Sequence, residues 1–185
     1  MFHKKVQIPS LIRIGKVLLL IDWDNVFFCL FNAFREDMRL ENKFEKMMAW
    51  IKRDIGELFG DYGFIFAPEY LSSFHQGMCI QNRLKLMICP KKMANPPRSK
   101  PTDTVDENII WFGNLMMRHP DVGIICLVSG DNHFVPLFEA AGKLGIKRAL
   151  VPPTIDSLAR TKELIRLVDK HPTTSKKMVL RLDLL

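Results

Sequence analysis

The chain has no pair of cysteines at CxxC spacing: its four, Cys29, Cys79, Cys89 and Cys126, are scattered through apolar segments. That argues against a disulfide framework or a zinc site and predicts reduced thiols packed in a core, in a reducing compartment. Long apolar runs are lacking too. The run Val17 to Ile21 is far too short to cross a bilayer, and it ends in charged Asp22 and Asp24, where a signal peptide would need small residues. No membrane partner is expected, and a cytoplasmic location is. No internal repeat or long low-complexity tract occurs. Acid is the scarcer charge: 20 Asp and Glu against 27 Lys and Arg give a net charge of +7, which favours an anionic partner. What remains is ordinary globular composition, 48% hydrophobic and 25% charged over 185 residues, enough for a single domain with one buried core.

Two apolar runs organise the chain. Gly123 to Val128 carries β-branched residues, no polar alternation and an immediate Ser129-Gly130-Asp131 turn, so it reads as a buried parallel strand ending in a carboxylate. Val17 to Ile21 reads the same way and ends in Asp22-Trp23-Asp24-Asn25. Further strands are expected at Phe64–Ala67, Leu84–Cys89 and Ile146–Val151, with helices between them. Phe27, Phe28, Phe31 and Phe34 recur at helical spacing, which predicts a helix face packed on the sheet, core rather than base stacking. Glu41 to Phe59 is periodic and stops at Gly60, predicting one long amphipathic helix. Helices are also expected at Ser73–Asn82, from a Thr102 or Asp103 cap to about Arg118, at Phe134–Leu144 and at Leu158–Val168. Residues 1–16 form a basic and apolar arm, 171–185 a tail, and 17–170 the core. Strand and helix alternation of this kind predicts an α/β fold with a doubly wound, mostly parallel sheet of about five strands and right-handed crossovers.

In such a sheet, strand carboxyl ends and helix N-termini gather at one edge. Asp22, Asp103, Asp106 and Asp131 come from three separate segments and would converge there. Hydrolysis of a phosphodiester by divalent cations needs such a convergence, because Mg²⁺ and Mn²⁺ take hard oxygen ligands and retain waters that attack phosphorus. Asn25 suits a supporting role, holding Asp22 or a ligand water through its amide.

The motifs Leu-Leu-Ile-Asp-Trp-Asp-Asn at 19–25, Thr-Val-Asp-Glu-Asn-Ile at 104–109, Leu-Val-Ser-Gly-Asp-Asn-His-Phe-Val-Pro-Leu at 127–137 and Leu-Ala-Arg-Thr-Lys-Glu-Leu-Ile-Arg-Leu-Val-Asp at 158–169 resemble, in order, those of the NYN domain, a branch of the PIN-like ribonucleases. The resemblance implies a PIN-like α/β/α sandwich and metal-dependent cleavage of RNA, with Mg²⁺ or Mn²⁺ as cofactor. By position it makes Asp22, Asn25, Asp106 and Asp131 catalytic, with Asp22, Asp106 and Asp131 as metal ligands. Asp24, Asp103, His133 and Ser129 become secondary. The chain departs from the pattern at His133, where the family carries a second acid; histidine ligates Mn²⁺ but serves Mg²⁺ poorly. RNA is the implied partner, and a homodimer is left open.

Two other readings compete. Asp22-Trp23-Asp24-Asn25-Val26 also resembles the strand-ending Asp-x-Asp-x-Val pattern of haloacid-dehalogenase-like phosphatases, with Asp22 as nucleophile and Asp24 as acid/base. Val135 and Pro136, however, stand where those enzymes need a further acid. Alternatively the domain binds RNA without cutting it. In either RNA reading the proline-rich basic loop supplies phosphate contacts through Lys91, Lys92, Arg98 and Lys100, aided by Lys4, Lys5, Lys176 and Lys177.

Overall fold

A computed structural model describes residues 15–35, 39–71, 76–90 and 104–185. Strands β1 (Lys16–Asp22), β2 (Gly63–Pro68), β3 (Leu84–Cys89), β4 (Val122–Val128) and β5 (Lys147–Leu150) form one all-parallel sheet in the order β3-β2-β1-β4-β5. The expected strands are all present, with ends shifted by a residue or so. The sequences explain the order. β1 and β4 carry unbroken apolar runs and stand side by side, sealed on both faces, with Leu18 to Ile21 and Ile125 to Val128 fully buried. β3 is less buried and leaves Lys85 and Ile88, on opposite faces, exposed as an edge strand would.

From β1 the chain moves outward through β2 to β3, then crosses back to β4 and on to β5. With right-handed crossovers, that reversal places helices α1 (Trp23–Phe34), α2 (Leu40–Trp50) and α3 (Gln76–Gln81) on one face. Helices α4 (Val105–Met116) and α5 (Val135–Lys143) cover the other. This is a doubly wound α/β/α sandwich. Its direction of winding changes between β1 and β4, and a crevice opens outside the carboxyl ends of strands at such a point.

Several sequence expectations need correction. The long helix expected to reach Phe59 ends early. After α2 a π-turn at Ile51–Ile55 leads to Gly56 at φ 147°, and Leu58 then bridges to Val17 while Val17 N–H donates to Glu57 O at 2.7 Å. Pairing with β1 outweighs continued helical periodicity. The last helix is two, α6 (Ile155–Arg160) and α7 (Lys162–Leu167), broken at Thr161, whose hydroxyl donates to Ser157 O at 2.9 Å. Residues 171–185 are more than a tail: Val179 bridges to Leu150 beside β5, and Met178 and Leu182 are buried. Of the α1 phenylalanines only Phe27 packs against the core, half-buried beside Trp23. Trp23, Val26 and Leu30 form the core face of the helix, and Phe28, Phe31 and Phe34 are exposed.

Candidate metal centre

Asp22 is the last residue of β1 and the N-cap of α1, its Oδ1 accepting from Asn25 N–H at 3.3 Å. It is only 2% exposed. Its Oδ2 accepts from the Ser129 hydroxyl at 2.8 Å, so the ends of the two central strands are joined through one carboxylate. The Ser129 oxygen in turn accepts from Asp131 N–H at 3.2 Å. Burial pushes the Asp22 carboxyl up to about 8; the Ser129 hydrogen bond opposes the shift, and the negative charge of Asp106 adds to it.

Asn25 braces the second loop, although differently from expectation. Its backbone, not its amide, meets Asp22, while its side-chain oxygen accepts from Gly130 N–H at 2.8 Å. Gly130 has no room for a side chain: an added Cβ would lie 2.5 Å from Ser157 Cβ and 3.1 Å from Asn25 Oδ1. The Ser-Gly-Asp sequence is thereby explained residue by residue: serine to bind the first carboxylate, glycine for close approach to α6, aspartate to face the crevice.

Asp106 rises from the first turn of α4, and Asp131 caps a short turn by accepting from His133 N–H at 3.0 Å. His133 Nδ1 sits between the two carboxylates, 3.0 Å from Asp106 Oδ2 and 3.3 Å from Asp131 Oδ2. One ligand atom from each of these three residues lies within 4.8 Å of the others. The hydrogen bond to Asp106, followed by the charge of Asp131, raises the affinity of His133 for its proton. A protonated imidazole here offsets part of the acidic charge.

Asp22, Asp106 and Asp131 open onto a common cleft of about 470 Å³. Asp24 and Asn25 line it as well, and the Tyr70 hydroxyl donates to Asp24 at 2.9 Å. The structure thus brings together seven of the expected site residues: Asp22, Asp24, Asn25, Asp106, Ser129, Asp131 and His133. Asp103, Lys91, Lys92, Arg98, Lys100, Lys4 and Lys5 lie outside the described residues. Of the flanks of that basic loop, Pro90 and Thr104 meet, the Thr104 hydroxyl donating to Pro90 O at 2.6 Å. Thr104 takes the N-cap position of α4 in place of Thr102 or Asp103. Lys176 and Lys177 do not reach the acidic cleft; they line a separate one with Trp50, Asp54 and His171.

Sequence reasoning missed one wall. Thr154, the N-cap of α6, Asp156 in its first turn and Arg160 at its end line the cleft, and Cys29 and Phe28 line it from α1. The signal for α6 was present: Thr154 follows Pro152-Pro153 and caps the helix by accepting from Ser157 N–H at 3.3 Å. Cys79, Cys89 and Cys126 are buried as expected, but Cys29 faces the site, where its sulfur lies 3.7 Å from an Arg160 guanidinium nitrogen and 3.3 Å from the Ser157 hydroxyl. No family model, curated protein or solved structure matches this chain.

Proposed function

We propose that the protein is a metal-dependent endoribonuclease of the NYN type, cutting RNA at the carboxyl edge of its sheet. One observation carries the reading: Asp22, Asp106 and Asp131, remote in the chain, converge with His133 on one cleft at the winding reversal. The donor set fits a divalent cation. Asp106, Asp131 and His133 supply ligand atoms close enough for one ion with bonds of about 2.0–2.6 Å. Asp22 feels the charge of Asp106, a repulsion that a cation relieves. The imidazole favours Mn²⁺ over Mg²⁺. When bound, the metal supplies Lewis acidity toward the phosphoryl oxygens and a water of lowered pKa.

The chain's own groups do the rest. Ser129 and the Asn25 N–H fix the Asp22 carboxylate at both oxygens and set where it can reach. Arg160 places a permanent positive charge in an otherwise acidic cleft, where a phosphate needs one. His133 Nδ1 stands between Asp106 and Asp131, which both favour its protonated form, and a bound cation would take over that charge.

The phosphatase reading is weaker in this geometry. A carboxylate nucleophile must be accessible, whereas Asp22 is buried and both of its oxygens accept hydrogen bonds. Asp24 engages Tyr70. Incubation of the protein with labelled single-stranded RNA and with a generic phosphomonoester, in EDTA, Mg²⁺ or Mn²⁺, separates the readings. Internal cleavage of RNA in Mn²⁺, abolished by EDTA, is expected. Phosphomonoester turnover, or RNA binding without any cleavage, would overturn it.

A further inference from the structure

Phe28 is 44% exposed in the middle of α1, one face of which borders an acidic cleft, and it forms part of the lining of that cleft. A large apolar ring in such a place has no packing purpose. It is nevertheless held. Phe27 meets it edge-on, with centroids 5.6 Å apart and an interplanar angle of 81°, and Phe27 is itself stacked on Phe31 at 6.0 Å and 12°. Phe27 thus contacts both of the other rings, and that packing limits how far the exposed Phe28 ring must be ordered when a ligand meets it.

The neighbours of Phe28 are polar and of defined kind. Arg160 reaches Cys29, the next residue along α1, at 3.7 Å. Asn32, one turn further, lines the cleft and carries both a donor and an acceptor. Ring, guanidinium and amide thus line one cleft together with the carboxylates. A nucleotide has the matching parts: a flat base, a phosphate and hydrogen-bonding base edges. A lipid lacks the flat ring, and a peptide has no such fixed repeat of ring and phosphate.

We infer that Phe28 is a base-stacking residue, on which an unpaired nucleobase of an RNA strand lies while Arg160 takes an adjoining phosphate. The inference rests on the RNA reading of the cleft and narrows its substrate. A base inside a duplex has both faces covered by its neighbours and offers none to Phe28. The required substrate is a strand with at least one unstacked nucleotide beside the bond that is cut.

The test compares two labelled 12-nucleotide strands, oligoadenylate and an abasic ribose-phosphate strand of equal charge, binding the full chain in EDTA by fluorescence anisotropy. Stacking energies of about 1–3 kcal/mol per base predict that the unmodified protein prefers oligoadenylate by about fivefold or more. Phe28→Ala and Phe28→Leu should remove the preference, leucine because it keeps apolar bulk without a π-face, and Phe28→Trp should retain it. Thermal melting confirms that each variant folds. A preference that survives Phe28→Ala, or no preference in the unmodified protein, overturns the inference. Cleavage in Mn²⁺ is scored separately. A protein that shows the Phe28-dependent preference yet cuts nothing keeps this inference and loses the nuclease; one that cuts both strands alike loses this inference alone.

Discussion

Asp22 concentrates the conflict between stability and function at one residue. Its carboxyl is buried at the end of the central strand, and its affinity for a proton is raised from an ordinary 3.8 to about 8. Between these values the native state binds a proton that the unfolded chain has released. Stability therefore falls as pH rises from about 4 to about 8, by a cost on the order of a few kcal/mol. Asparagine mimics the protonated carboxyl in shape and in hydrogen bonding. Asp22→Asn should melt above the unmodified protein at pH 8 and close to it at pH 4, while RNA cleavage is lost. A parallel pH dependence in both proteins, followed by calorimetry, would show that Asp22 is not the group responsible. Gly130 offers a second check at this scale. Gly130→Ala drives a methyl into Ser157 and should cost about 1–3 kcal/mol. Adding Ser157→Gly should return part of that loss, and full additivity of the two changes in denaturant unfolding would contradict the contact.

Among the elements, the strands were legible because a buried parallel strand has an unmistakable sequence, an unrelieved apolar run closed by a turn. β1 and β4 were read to within a residue or so, and with them Asp22, Ser129 and Asp131. Helix α1 was found, but its faces were exchanged. Trp23, Val26 and Leu30 repeat at the same spacing as Phe27, Phe31 and Phe34, so periodicity offered two stripes and no means of choosing between them. The connection from Asp22 decides: its cap turns the first stripe onto the sheet, keeps Phe27 at the margin of the core and leaves Phe31 and Phe34 outside. The break at Gly56 was hidden for a related reason, since Leu58 continues the helical period but pairs with β1 instead. The wall formed by α6 escaped notice because its residues gain meaning only from the fold, where Ser157 packs on Gly130 and Asn132 donates to Arg160 O at 2.6 Å. Cutting the Ser129 link tests how the two central strand ends cooperate. Ser129→Ala leaves the Asp22 carboxylate without its hydroxyl partner, so the loss of stability with rising pH should grow and extend above pH 8, while cleavage drops by more than about tenfold. An unchanged rate in the RNA assay would mean that Asp22 needs no such positioning.

For the whole molecule, strand order matters more than any single contact. The winding reverses between β1 and β4, and only there do two central strands deliver carboxyl ends to one crevice while α4 brings a third carboxylate from the opposite face. The net charge of +7 surrounds an acidic centre that repels phosphate by itself. In the proposed nuclease, Arg160 and a bound cation would reconcile the two. Because a cation binds the folded centre and not the dispersed carboxylates of the unfolded chain, Mn²⁺ should raise the melting temperature in proportion to the logarithm of its concentration. The most direct measurement is calorimetric titration of Mn²⁺ into the protein and into Asp106→Asn and Asp131→Asn. A cation centre at the carboxyl edge predicts one ion per chain in the unmodified protein and an affinity at least about tenfold weaker in each variant. No saturable binding, or variants that bind as tightly as the parent, would contradict it.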